Sequence, residues 1–318
     1  LRSEVHGNQI LTIRTFVPVL TAFLVIRIMF LRCIRAVQAV SVLTTTTTIG
    51  RKQCFRGLST EAIAFRPITF GLASFFCLPD QGMKEYEVLS RSSLFLVGAS
   101  EGLRQRYHLV STAHVTHPFL FENLYPKGSN DFLQYVSEND TQHRLQLREI
   151  LTGFTLREFL LRHQTFRHPT LDLVVLHLTN EPEFEEEMEA KGLRLNPLVL
   201  ADSDPSPNKA VKIYGHNLIK DESSGEEVLV PYASSGEVNI VWKDCTFIAT
   251  PVPLQMGMCG GPVITDDGQC VGMVEGLVNL PSNKQSMIAE MRTLENNAAV
   301  IPASSLRTFV SKVEEMIG

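Results

Sequence analysis

The chain has 318 residues, of which 44% are hydrophobic and 20% charged, and it carries a formal net charge of -5. These proportions suit a globular protein with one large or two small cores and exclude a predominantly disordered chain. They also argue against a nucleic-acid binder that relies on a basic face, leaving room only for a local patch.

Charge is unevenly distributed. From Val5 to Thr60 there is no Asp or Glu, while Arg14, Arg27, Arg32, Arg35, Arg51, Lys52 and Arg56 are basic. The run from Met29 to Thr60 is rich in Arg, Ser and Thr, which is the composition of an organellar transit peptide. Residues 1–60 therefore read as a targeting leader, with Met29 as the expected start and residues 1–28 as upstream sequence. The expected location is mitochondrial. Secretion is the alternative, with Val17 to Ile26 as its apolar region, and membrane anchoring ranks third because ten apolar residues fall short of the roughly 20 that span a bilayer. Residues 61–90 read as an N-terminal extension.

Beyond the leader, short apolar runs alternate with turn signals, a pattern of all-β architecture. The expected strands are Ser93 to Ala99, Arg106 to Val115, Leu171 to Leu178, Val211 to His216, Glu226 to Ala233, Gly236 to Trp242, Thr246 to Val252, Gly261 to Thr265 and Cys270 to Val278. Leu145 to His163 and Pro302 to Ile317 read as helices. In the second, Leu306, Phe309, Val310, Val313 and Ile317 form one apolar face. The acidic run Glu181 to Lys191 reads as a solvated loop or helix face.

Six cysteines occur, two of them, Cys33 and Cys54, in the leader. No CxxC pair is present, so a zinc site built on cysteine is not expected, and a disulfide scaffold is disfavoured. One bridge among Cys77, Cys245 and Cys270 is left open. No nucleotide, phosphate or metalloprotease motif occurs, and no cofactor is expected.

One stretch asks for a chemical explanation: PLQMGMCGGPVI, from Pro253 to Ile264, sets Cys259 among glycines. Glycine allows positive φ and close approach, so main-chain N–H groups there can converge on a ligand atom. A nucleophilic thiol needs a base, and the base needs a group that fixes its tautomer. His114 follows the strand in VSTAHVTHP, and Asp172 opens the strand in HPTLDLVVLHL. In chain order the set is His114, Asp172, Cys259.

STAHV, TLDLVVLHL and GMCGGPV, in that order, resemble the three catalytic motifs of the chymotrypsin-like peptidase superfamily. PLVLADSDPSPNKAVKIYGHNL, SGEVNIVW, TDDGQCVGMVEG and NAAVIPASSLRTFV are similar to the HtrA (Deg) branch, taken without its PDZ domain. The resemblance covers about Arg91 to Val313. It implies two antiparallel six-stranded β-barrels with a C-terminal helix, the first over about residues 91–195 and the second over about 196–318, and an active site between them. It further implies an endopeptidase acting on polypeptides, in which Cys259 attacks, His114 is the general base, Asp172 orients it, and the Gly257 and Cys259 amides form the oxyanion hole. The substrate pocket would be lined by Pro253, Leu254, Gln255, Val274, Glu275, Gly276 and Leu277. With no acid near Pro253, strict Arg/Lys specificity there is disfavoured. A homo-oligomer is left open.

The chain departs from the HtrA pattern in having Cys259 for serine, Met258 where relatives carry Asp or Asn, and Glu275 where they carry Ser or Asn beside the triad carboxylate. A second acid there is expected to raise the pair's titration. The alternative function is a catalytically silent homologue that binds peptides or partner chains.

Overall fold

A computed structural model of the chain describes residues 69–99, 106–121, 124, 131–148, 155–179, 181–190, 195–222, 225–280 and 289–318. The leader expected over residues 1–60 lies outside the described residues.

The first half forms one antiparallel sheet of seven strands: β1 (Phe70–Phe76), β2 (Glu87–Ala99), β3 (Arg106–Ser111), β4 (Thr141–Arg148), β5 (Thr155–Leu160), β6 (His163–Arg167) and β7 (Val174–Leu178). Their order is β5-β4-β1-β2-β3-β7-β6. The two ends of this order, β5 and β6, are consecutive in the chain and separated only by Leu161 and Arg162. The Leu161 amide donates to the His143 carbonyl on one side (2.9 Å), and the Thr179 amide donates to the Arg162 carbonyl on the other (3.1 Å). The sheet therefore returns on itself through one bent strand. With β5 and β6 counted as its halves, the expected six strands are present.

Two expectations are corrected here. β1 and the start of β2 fall within residues 61–90, which read as an extension outside the barrel. The helix expected from Leu145 to His163 is instead β4, β5 and β6. Leu145 and Leu147 on β4, with Phe159 on β5 and Leu161 beyond it, lie two residues apart and fill the barrel interior. The longer apolar run through this stretch, with Leu147, Ile150, Leu151 and Phe154 three and four residues apart, also fits a helical spacing, so periodicity alone did not choose. Pairing of β4 with β1, from Gly71↔Gln146 to Phe76↔Thr141, makes the choice.

The second half is a closed barrel of β8 (Ala210–Lys220), β9 (Glu227–Trp242), β10 (Cys245–Ala249), β11 (Pro262–Ile264), β12 (Cys270–Leu277) and β13 (Ala298–Pro302), in the order β10-β13-β12-β11-β8-β9. Two of the expected strands, Glu226 to Ala233 and Gly236 to Trp242, are one long strand, β9.

Among the described residues there are four α-helical segments: α1 (Ala113–Thr116), α2 (Glu181–Ala190), α3 (Ala289–Arg292) and α4 (Ala303–Ile317). The acidic run forms α2, whose Phe184 and Met188, four residues apart, enter the first core, while Glu181 accepts from the Tyr107 amide (2.7 Å) and Glu183, Glu186, Glu187 and Glu189 are exposed. Between the barrels lies a separate core in which Phe95, Val110 and Val175 meet Met273, Ile301 and the α4 residues Leu306, Phe309, Val310 and Val313. Polar contacts fix α4 at both ends. Asp204 in the inter-barrel linker accepts from the Ser304 amide (3.3 Å) and hydroxyl (2.9 Å), and Glu314 is bonded to Arg106 (3.3 Å) and to His108 on β3. Among the described residues no helix is long and apolar enough to cross a membrane.

Candidate active site

His114 sits on the single turn α1, directly after β3. Ala113 and Val115 on either side of it are buried, which leaves the imidazole facing the cleft. The Val115 carbonyl accepts from the hydroxyls of Ser74 on β1 (2.9 Å) and Ser90 on β2, so the turn is tied to two strands. Asp172 stands at the end of the loop before β7. His168 organises that loop: its Nδ1 accepts from the amides of Thr170 (3.2 Å) and Leu171 (2.9 Å), and its own amide donates to the Leu173 carbonyl (2.9 Å).

Both carboxylate oxygens of Asp172 are used on one residue. The His114 amide donates to Oδ1 (2.8 Å) and the ring Nδ1 to Oδ2 (2.5 Å). This fixes the proton on Nδ1 and turns Nε2 toward the remaining partner. The Cys259 thiol is hydrogen-bonded to the His114 ring. Burial is the largest single influence on His114 and pulls its pKa down, but the charge and hydrogen bond of Asp172, helped by Cys259, carry it well above the ordinary histidine value. Three residues remote in sequence, from two barrels, thus form one hydrogen-bonded line.

Residues 93–273 match the family model of the trypsin-like peptidase domain. The chain belongs to that family.

No curated protein matches the chain in sequence. Solved structures similar to it include the Rv3671c protease of M. tuberculosis. Its inactive form as a serine-to-alanine mutant is 14% identical, with 80% of this chain and 90% of that chain covered and a TM-score of 0.43. The active form is 13% identical, covering 85% and 94%, with a TM-score of 0.42.

The trypsin-like chain holds the Cys259 loop by its carbonyls. The Gly257 carbonyl accepts from the Ser93 hydroxyl (2.7 Å), and the Cys259 carbonyl accepts from the Ser93 amide (3.0 Å) and the Ser92 hydroxyl (2.5 Å). Ser92 and Ser93 belong to β2 of the first barrel, so this clamp brings the thiol across to His114. The orientation of the two amides expected to bind an oxyanion follows from peptide planarity, which sets each N–H opposite its carbonyl. The Met256 carbonyl is taken by the Leu218 amide (2.7 Å) and the Met258 carbonyl by the Gly261 amide (3.1 Å). The Gly257 and Cys259 N–H groups therefore face the other way, and neither donates to a main-chain carbonyl among the described residues.

The glycines have separate reasons. Gly257 has φ +93° and Gly260 φ +80°, and a Cβ on Gly260 would lie 2.1 Å from the Ser93 carbonyl oxygen. Met258, where digestive relatives carry Asp, is buried in the second barrel's core, its sulfur against Gly215.

The expected substrate pocket is only partly assembled. Leu254 and Val274 are core residues of the second barrel, Gly276 is buried, Pro253 and Gln255 are exposed, and Leu277 is half-buried. Glu275 alone of the seven lines a cavity of about 600 Å³, and it shares that wall with Leu171, one residue before Asp172.

Sequence reasoning missed Ser92, Ser93 and His168, which position the site without standing in a motif. It also missed a buried histidine group beneath His114. The His143 Nε2 donates to the Thr116 carbonyl (3.0 Å), its Nδ1 lies 3.0 Å from the His163 Nε2, and His117 Nδ1 lies 2.6 Å from the Thr116 hydroxyl. Burial lowers all three, with His117 and His163 pushed down to about 3. Among the described residues no group of His, Cys, Asp and Glu is arranged to hold a metal ion. Cys77, Cys245, Cys259 and Cys270 are free thiols. Burial raises the Cys245 thiol, with Glu275 adding to the shift, and pushes Cys270 up to about 12.

Proposed function

We propose that this trypsin-like peptidase is an endopeptidase with a cysteine nucleophile. The observation that carries the reading is the line Asp172–His114–Cys259, in which one carboxylate holds both the amide and the ring of the histidine that meets the thiol. His114 takes the thiol proton on Nε2, and the Cys259 sulfur attacks the peptide carbonyl. The resulting oxyanion is held by the Gly257 and Cys259 amides, a donor of this kind being worth about 3 kcal/mol in the transition state. His114 then gives its proton to the departing amine, leaving a thioester on Cys259. Water, deprotonated by His114, attacks the thioester, and the collapsing intermediate returns the thiol. Asp172 stays ionised throughout and stabilises the imidazolium.

A thiolate is intrinsically more nucleophilic than an alkoxide precursor at neutral pH, and storage as a pair with a histidinium suits the raised His114. Alkylation with iodoacetamide at pH 7, followed by peptide mapping and a cleavage assay, tests the mechanism. Cys259 should react first, since Cys245 and Cys270 are held as thiols by burial, and activity should fall in step. Full activity after stoichiometric modification of Cys259, or in Cys259→Ala, overturns it.

The HtrA-like motifs and the acid-free leader extend the proposal to a mitochondrial member of that branch, with a mature N-terminus near Leu58 to Ala62. Terminal sequencing of the endogenous protein decides, and a terminus at or before Met29 removes this part of it.

A further inference from the structure

The cavity beside the site has a definite chemical character. Its lining includes Thr170 and Leu171, next to Asp172, and Glu275, next to Val274, whose carbonyl accepts from the Gly260 amide (2.8 Å) beside Cys259. It is thus one residue removed from Asp172, and it is linked to Cys259 through Val274 and Gly260. Its charged lining is three carboxylates, Asp204, Asp244 and Glu275, against the single ammonium of Lys243, with His168 at the edge. Both Asp204 oxygens accept from Ser304, but its charge remains. Trp242 and Phe247 supply aromatic surface, their rings 5.0 Å apart and edge-on.

From this combination we infer that the cavity receives a cationic side chain of the substrate, arginine before lysine, at a position flanking the scissile bond. The inference rests on the endopeptidase reading for its substrate and adds the residue class. Carboxylates beside an aromatic wall suit a planar guanidinium, which donates bidentate hydrogen bonds and stacks on a ring face, better than a compact, strongly hydrated ammonium. A volume of about 600 Å³ is ample for one such side chain. Of the seven residues expected to line the pocket for the attacked residue, only Glu275 lines this cavity, and Pro253, Leu254 and Gln255 do not, so the proposal places the cation beside the attacked residue.

A positional-scanning peptide library containing arginine, lysine, norleucine and the neutral arginine isostere citrulline tests this. One flanking position should favour arginine over citrulline in kcat/KM by roughly ten- to hundredfold, the range of a hydrogen bond to a charged group. Glu275→Gln combined with Asp244→Asn should bring the ratio close to one, whereas Lys243→Gln should raise it. The second variant keeps the test meaningful should the first fold poorly. Equal cleavage of arginine and citrulline peptides by the wild type, or a ratio unmoved by all three substitutions, overturns the inference and leaves the peptidase reading standing. The same peptides, fluorescently labelled, should bind Cys259→Ala with the same preference. Such binding without any wild-type cleavage would support the cavity's role and refute the peptidase.

Discussion

His114 and His117 are three residues apart on the same turn, both enclosed by protein, and they hold protons in opposite ways. For each, burial is the largest influence and acts downward. At His114 two oxygens of Asp172 meet the residue, and its pKa ends well above the ordinary value. At His117 the nearest acid, Glu138, is exposed and 3.7 Å away, while His143 and Arg167 add positive charge, and the pKa falls to about 3. An ionised partner within hydrogen-bond reach, and not depth, separates a histidine that carries a proton from one that refuses it.

The largest effect should come from removing the charged line itself. Cys259→Ala and His114→Ala should each lower kcat/KM for a peptide substrate by at least about a thousandfold. The melting temperature should change little. His117→Gln should instead lower stability with turnover largely kept; a loss equal to that of His114→Ala would erase the distinction between the two histidines.

Asp172→Asn should come next, with turnover falling by about a hundred- to ten-thousandfold. It also sharpens the comparison directly. Without the carboxylate, the His114 resonances should titrate far lower, toward the behaviour of His117, and an unmoved His114 titration would refute the account given for it. Ser93→Ala acts on the clamp that carries Cys259 across to His114. Loss of its bond to the Gly257 carbonyl, and of the acceptor for the His216 amide (2.8 Å), should destabilise the protein by about 1–3 kcal/mol and weaken turnover. Unchanged denaturant midpoint and kinetics would show that the loop is held by other contacts.

Stability against pH should report the two histidine classes with opposite signs. His117, His143 and His163 have folded pKa values below the unfolded 6.5, with His117 and His163 at about 3, so the unfolded chain binds more protons below pH 6.5. Their contribution is present above pH 6.5 and is lost as pH falls below it, at up to about 1.4 kcal/mol per pH unit for each. His114 has a raised folded pKa, so its contribution is present below 6.5 and is lost as pH rises through that folded value. Urea titrations at pH 7, 5 and 4 should show falling stability, less steep in His163→Asn. A flat profile would mean that the three imidazoles are solvated when the protein is folded.

The smallest expected effect is that of Glu275→Ser, which removes a carboxylate from the wall shared with Leu171. If its charge reaches Asp172, the acidic limb of the pH–activity profile should move down by a fraction of a unit. Superimposed profiles would show that Glu275 acts on the cavity alone.

Much of the second barrel was legible because its strands alternate clearly and are punctuated by glycine and proline, and α4 because five apolar residues follow helical spacing. The three candidate residues, His114, Asp172 and Cys259, could be picked out because each stands in a short motif whose chemistry needs that residue type. β1 was hidden by the extension reading, and with it the pairing strand of β4, while the two-residue spacing of Leu145 and Leu147 was masked by the helical spacing of Leu147, Ile150, Leu151 and Phe154 in the same run.

By itself, the sequence determined which side chains could act as nucleophile, base and orienting acid, since those functions belong to the residue types. Only the tertiary structure decided their state and their surroundings. Ser93 matters because it lies across from Gly257, 164 positions away in the chain. His114, His117, His143 and His163 lie in the same barrel, and of these four it is His114 that both oxygens of a carboxylate meet and charge. Such differences arise from long-range contacts and local dielectric, which no window of neighbouring residues contains.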